Sequence, residues 1–203
     1  MTKRQETLIF IPKFSCVLIL FTPNKNNVLC DTPTEIMKKL FIVRHAKSSW
    51  AEGKDDFDRG LKKRGKLNTP FMAGKLVSRG VKIDRILSSA AKRTVKTAKL
   101  MNEVFGLSDT QIEFSKKLYL SSPKTIINHV KETDDTVDEL MLVAHNPGVT
   151  QVVNYLANEH FENIPTCGIA CILFDIKSWS ELKNNGTLGF FIYPKMFKQN
   201  NLK

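Results

Sequence analysis

Two continuous apolar runs, Leu40-Phe41-Ile42-Val43 and Leu140-Met141-Leu142-Val143-Ala144, each lead into a histidine: His45 behind Arg44 in the first, His145 in the second. Runs this short and this uniformly apolar have the pattern of strands covered on both faces, which belong to parallel sheets. Parallel strands bring their carboxyl ends to one edge, and that edge is where open α/β proteins hold their ligands. The two histidines, remote in the chain, are therefore expected to converge. Arg44 makes an anion the expected ligand, because a guanidinium presents a planar fork of donors that fits phosphate.

Elsewhere the apolar positions change to helical spacing. Leu61, Leu67, Phe71, Leu76 and Val77 predict a helix over 61–78, with Pro70 expected to break or kink it and Gly80 to close it. Residues 83–87 read as a second strand ending in Ser88-Ser89. Val95, Ala98, Leu100, Met101 and Val104 predict a helix over 91–105, stopped by Gly106. Residues 112–119 are ambiguous. Ser122-Pro123 has the form of an N-cap with proline at the first helical position and predicts a helix through Val130. A helix over 148–156 and late strands over 169–175 and 189–193 follow, while the polar, acidic stretch 48–60 reads as a loop. This alternation predicts an α/β fold, a three-layer α/β/α sandwich with a mainly parallel central sheet. A chain of 203 residues is long enough for one such domain and too short for two.

The formal net charge is +11, which suggests acidic partners. The lysines and arginines are spread along the chain, with no block of five or six and no interleaved aromatics. A solvated basic surface is the expectation, and nucleic acid is not an expected partner. Cys16, Cys30, Cys167 and Cys171 form no Cys-x-x-Cys pair and no zinc spacing. No metal or other cofactor is expected. Cys167 and Cys171 read as small core residues on one face of a strand, and a reducing cytoplasm is the expected location.

Residues 1–36 read differently. Lys3 and Arg4 precede an apolar stretch over 8–21 that is interrupted by Pro12, Lys13 and Ser15. The stretch is shorter than the roughly 20 apolar residues that span a bilayer. Its charged start fits a secretory leader, but residues 22–27 contain no small-x-small cleavage site, and Leu29 before Cys30 does not fit a lipoprotein box. Met37-Lys38-Lys39, running straight into a strand, has the form of a natural start. The segment is read first as an extension outside the fold created by a misplaced start, second as a leader, and last as a membrane anchor. The domain is expected over residues 37–203, with no membrane partner.

Arg93 lies in Ser88-Ser89-Ala90-Ala91-Lys92-Arg93-Thr94, where the second strand hands over to a helix, so it belongs to the same edge as Arg44, His45 and His145. Spreading charge from the three non-bridging oxygens of a phosphoryl group over fixed cations is the main task in its transfer. Two arginines and one histidine suit that task and leave the other histidine to attack phosphorus. Such a nucleophile must be neutral, with its second ring nitrogen hydrogen-bonded. Taken singly, each residue has a plainer reading: a structural histidine, a helix-surface arginine, a turn-opening histidine. Their joint placement favours a site. Arg59 is expected to hold the acidic loop through Asp56 or Asp58 rather than to contact substrate. His129 and His160 read as surface residues, and Trp50 and Tyr119 as packing residues that could line a pocket mouth.

Val43-Arg44-His45-Ala46, then Ser88-x-Ala90-x-x-Arg93-Thr94 with Thr97-Ala98, then His145-Asn146-Pro147-Gly148 resemble the ordered motifs of the histidine phosphatase superfamily. Arg44 to Trp50, followed by Asp56-Phe57-Asp58-Arg59-x-Leu61 and Gly65, is similar to its SixA-type phosphohistidine phosphatase branch. The resemblance runs from Met37 to about Tyr193. It implies a phosphoglycerate mutase-like fold, His45 as the nucleophile, and Arg44, Arg93 and His145 as ligands of the phosphoryl oxygens, with Arg59 a weaker candidate for substrate binding. It also implies a metal-independent hydrolase acting on a phosphorylated protein or a small phosphorylated molecule. The chain departs from the pattern at Ala51, where larger mutase-like members have Asn. It departs again at Gly60 and Lys62, which replace Pro and a small polar residue. No carboxylate accompanies Lys116-Lys117-Leu118-Tyr119, where those members carry a general acid. An alcohol leaving group needs such an acid, whereas an imidazole or acyl phosphate leaves more readily. Phosphohistidine on a protein is therefore the expected substrate, ahead of a small-molecule phosphate or nucleotide, or of a non-catalytic phosphoryl-binding module. Asp55, Asp56 or Asp58 stays in view as a proton source.

Overall fold

The computed structural model describes residues 37–50 and 55–197, so the expectations for residues 1–36 and Ala51 fall outside it. Six strands form one sheet: β1 (Met37–Arg44), β2 (Arg85–Ser89), β3 (Ile112–Ser115), β4 (Glu139–Ala144), β5 (Ile169–Asp175) and β6 (Thr187–Ile192). Their order is β3-β2-β4-β1-β5-β6. The first four run parallel, and β5 and β6 close one side antiparallel. Helices α1 (Lys63–Val77), α2 (Lys92–Phe105), α3 (Pro123–Lys131) and α4 (Gly148–Ala157) complete the α/β arrangement.

The uniform apolarity of β1 and β4 has a direct cause. Leu40 and Ile42 join Leu140 and Leu142 in a core with Ile126 and Val130 of α3 and Val149, Val152 and Val153 of α4. Phe41 and Val43 join Met141 and Val143 in a second core with Met72 and Leu76 of α1 and Ala98 and Met101 of α2. Alternate side chains enter opposite faces, and both faces are covered, so no position along Leu40–Val43 or Leu140–Ala144 has a reason to be polar.

Helix ends follow local chemistry. Ser122 Oγ accepts from Thr125 N at 3.2 Å, with Pro123 at the first turn of α3. Gly106 stops α2 at φ +75°, a left-handed conformation that glycine adopts without a Cβ clash. Two expectations are corrected. Pro70 does not break α1: the helix runs through it, anchored by buried Thr69, Met72, Ala73 and Leu76. Cys167 is not a strand residue; it sits ahead of β5 at φ +61°, although it is buried in the same core as Cys171.

Gly148 opens α4 against Ile126 of α3 and the Ser121 carbonyl that precedes it. A Cβ there would meet Ser121 O at 2.6 Å and Ile126 Cδ1 at 3.0 Å. Gly148→Ala is expected to destabilise the fold by about 1–3 kcal/mol, read as a lowered thermal midpoint. An unchanged midpoint would show that α3 and α4 do not abut there.

Candidate active site

The β1–β4 register pairs Arg44 with Ala144, so the next residues, His45 and His145, leave the sheet side by side. Their ring centroids are 5.3 Å apart. The backbone of His45 is held on both flanks: its N donates to Ala144 O at 3.1 Å, and its carbonyl accepts from Cys167 N at 3.2 Å. The imidazole is fixed as well. Nδ1 lies 2.8 Å from the Ala46 carbonyl, which can only accept, so Nδ1 carries the proton and Nε2 keeps a lone pair. Ala46 N donates to Thr97 Oγ1 at 3.1 Å, and that hydroxyl donates to Arg93 O at 2.7 Å, tying the loop to the first turn of α2.

Arg44 is aimed by the late part of the chain. Its Nη1 donates to Asn163 Oδ1 at 3.0 Å and to Ile164 O at 2.6 Å, while Asn146 Nδ2 donates to the same Asn163 oxygen at 2.7 Å. His145 Nε2 lies 2.8 Å from Ser89 Oγ, at the end of β2. Arg93 is 1% exposed and turns both terminal nitrogens to Asp56, Nη1 to its carbonyl and Nη2 to its carboxylate at 2.9 Å. The other carboxylate oxygen takes Arg59 Nη2 at 2.7 Å, and Tyr119 OH donates to Asp56 Oδ2 at 2.6 Å.

Among the described residues, the buried side-chain nitrogens without a hydrogen-bond partner are Nε of Arg44, Arg59 and Arg93, and Nδ1 of His145. Buried polar groups are nearly always paired. All four nitrogens belong to residues of this edge, three of them on fixed cations; the other unpartnered buried side-chain atoms among the described residues are the hydroxyl oxygens of Ser121 and Thr133.

Burial lowers His45 to about 4, and the nearby Arg93, Arg44 and Arg59 add to that effect against the Ala46 hydrogen bond. Burial, followed by Arg93, lowers His145 to about 3. Both imidazoles are therefore neutral at neutral pH. Burial works against the Asp56 anion, but the Tyr119 hydroxyl and the Arg93 guanidinium outweigh it and hold the carboxyl at about 2. Asp56 is thus a fixed anion, and its reading as a proton source is set aside.

A nucleophilic His45 must be unprotonated, so kcat/KM, corrected for ionisation of the substrate, is expected to fall on the acid side only as pH approaches 4. An acid limb at the ordinary histidine value would contradict the burial of this ring. Stability shares the sign. The unfolded histidines take protons near pH 6.5 and the folded ones do not, so the thermal midpoint drops as pH falls from 6.5 through 4 towards 3.

Arg44, His45, Arg93 and His145, expected at one edge from the sequence, lie together there in the structure. Arg59 holds the acidic loop through Asp56 rather than Asp58. Trp50 is not packed: it is 76% exposed, with the Arg59 guanidinium 3.5 Å over its ring. Tyr119 sits at the site, its ring edge-on to His145 at 5.5 Å. His129 is half-buried between Glu113 and Glu132, while His160 is exposed. Ser89, Asn163 and the Asp56–Arg93 pair hold the site without having been singled out by the sequence, and Thr97 stood there only as part of a motif. Ser89 had a usable signal in its position at the end of a strand; Asn163 had none.

The model of the histidine phosphatase superfamily (branch 1) matches residues 40–119. An uncharacterized chloroplastic protein of Arabidopsis thaliana is 30% identical over 183 residues, covering 78% of this chain and 83% of that protein. Among solved structures, one from Agrobacterium tumefaciens assigned as the phosphohistidine phosphatase SixA is 27% identical. It superposes with a TM-score of 0.66 over 77% of this chain and 98% of that one. A mycobacterial glucosyl-3-phosphoglycerate phosphatase shares the fold at 13% identity, with a TM-score of 0.56 over 75% of this chain and 97% of that one.

Proposed function

The chain belongs to the histidine phosphatase superfamily, in its SixA-type branch, and is a phosphatase; from that premise we propose that its phosphoryl group passes through His45 and comes from a phosphohistidine on a protein. The observation that carries this reading is the His45 ring itself, with Nδ1 tied to the Ala46 carbonyl and Nε2 open, set among partnerless nitrogens of Arg44, Arg59, Arg93 and His145.

In the first step the Nε2 lone pair forms a bond to phosphorus, and the bond from phosphorus to the substrate imidazole breaks. A substrate ring protonated on its other nitrogen leaves as neutral imidazole and needs no proton delivered to the departing atom. Arg44, Arg93 and His145 take up charge on the three non-bridging oxygens. In the second step water attacks the phosphoryl group on His45, Nε2 recovers its lone pair, and inorganic phosphate leaves with the water proton passing to solvent. The Asp56 anion, held at about 2, does not serve as an acid for an alcohol leaving group, which favours an activated phosphoryl donor. A reducing cytoplasm suits the chain, whose described cysteines, Cys167 and Cys171, are free thiols.

The test is a substrate panel. A phosphohistidine peptide is expected to be turned over with a kcat/KM about 10²-fold or more above sugar phosphates, phosphoglycerates and nucleotides, the scale of a missing general acid. A preferred phosphate ester would overturn the substrate assignment in favour of a small phosphorylated molecule. No turnover of any substrate, with vanadate still bound, would make the chain a phosphoryl-binding module.

A further inference from the structure

On the reading just given, we infer that the groove between α3 and α4 docks an acidic segment of the phosphoprotein whose histidine is discharged. The groove has a volume of about 410 Å³. From α3 it takes Lys124, Ile127 and Lys131, three and four residues apart and so on one stripe of the helix. Tyr155 of α4 enters from the other side, 52% exposed, and Leu182 and Lys183 close the far wall. The lining is thus an apolar floor bordered by three lysines.

None of these lysines pairs with a carboxylate among the described residues. The carboxylates nearest to them in the chain face elsewhere. Glu132 lies by His129 Nδ1 at 3.6 Å, and Glu181 accepts from Ser178 N at 2.9 Å. The positive charge is therefore available, and its complement is a segment bearing Asp or Glu around an apolar residue.

Position gives the second argument. Helices α3 and α4 both start at the edge that carries His45 and His145, and they meet where Gly148 packs against Ile126 of α3 and the Ser121 carbonyl just ahead of it. Gln151, one turn into α4, borders this groove and also the depression around Asn146 and Asn163, the pair that aims Arg44. A segment lying in the groove is thus led towards the phosphoryl site. The nine residues of α3 span about 13 Å, room for two helical turns of a partner.

The experiment uses three probes: free phosphohistidine, and two synthetic peptides with one phosphohistidine followed by an arm of Glu and Leu or an arm of Lys and Leu. The intact protein is expected to turn over the Glu-arm peptide with a kcat/KM at least about tenfold above the Lys-arm peptide, the preference shrinking as salt rises. In the combined variant Lys124→Glu, Lys131→Glu, Lys183→Glu the preference disappears while free phosphohistidine is hydrolysed as before. Should that variant fold poorly, replacing the same lysines with serine removes most of the preference. Equal treatment of the two arms by the intact protein, or an unchanged preference in the folded variant, overturns the docking proposal and leaves the phosphatase reading standing on free phosphohistidine. Failure of all three probes overturns both. A dimer that Tyr155→Glu converts to monomer would assign the groove to a second copy of the chain, which also overturns the proposal.

Discussion

Replacing His45 with alanine is expected to lower kcat by on the order of 10⁴-fold or more, the scale seen when a covalent nucleophile is removed. The size follows from the absence of a substitute. His145 is the other imidazole at the site, but its Nε2 is engaged with Ser89 Oγ, and when that nitrogen accepts the hydroxyl proton the partnerless Nδ1 carries the ring proton and has no lone pair to attack with. The sulfur of Cys167 is buried, and burial raises its thiol to about 12, so no thiolate is at hand. Binding should survive far better than turnover, because Arg44 and Arg93 are positioned by Asn163, Ile164 and Asp56 rather than by His45. Vanadate titration of the variant is expected to give an affinity within a few fold of the parent, with kcat measured on phosphohistidine peptide. A variant that keeps a tenth of the parent kcat would remove His45 from the reaction.

The second large effect is expected at Arg93. Lysine in its place keeps the charge, yet kcat/KM is expected to fall about 10²-fold. Arg93 does two jobs with one rigid group: its terminal nitrogens hold the backbone and carboxylate of Asp56, and its buried Nε remains without a partner beside the histidines. A single ammonium cannot reproduce both edges of a guanidinium. Steady-state kinetics on the phosphohistidine peptide measure the loss, and a drop of less than about threefold would show that charge alone suffices at this position.

What was legible in the chain was what local rules control. Uniform burial makes β1 and β4 readable, and parallel pairing then sends Arg44, His45 and His145 to one edge whatever lies between them. Arg93 was readable because the first turn of a helix after a parallel strand faces that edge. Partners across long separations left no local trace. Asn163 reaches Arg44 from 119 residues away, and Asp56 reaches Arg93 from 37. The i,i+3 pair of Asp56 with Arg59 was foreseeable, since its partners are neighbours in sequence, but the same carboxylate also serves Arg93 and Tyr119. Pro70 misled because one lost backbone hydrogen bond is outweighed by a helix face that buries Thr69, Met72, Ala73 and Leu76. Trp50 misled because its large apolar ring is spent on the Arg59 guanidinium at the surface.

The most direct test is to stop the reaction in alkali during turnover of phosphohistidine peptide, digest the protein, and map phosphate by mass spectrometry. The phosphoryl group is expected on the peptide containing His45, stable in alkali, lost in mild acid, and missing after His45→Ala. Phosphate carried by His145 or by any other residue, or turnover that proceeds with His45 never phosphorylated, would contradict the account.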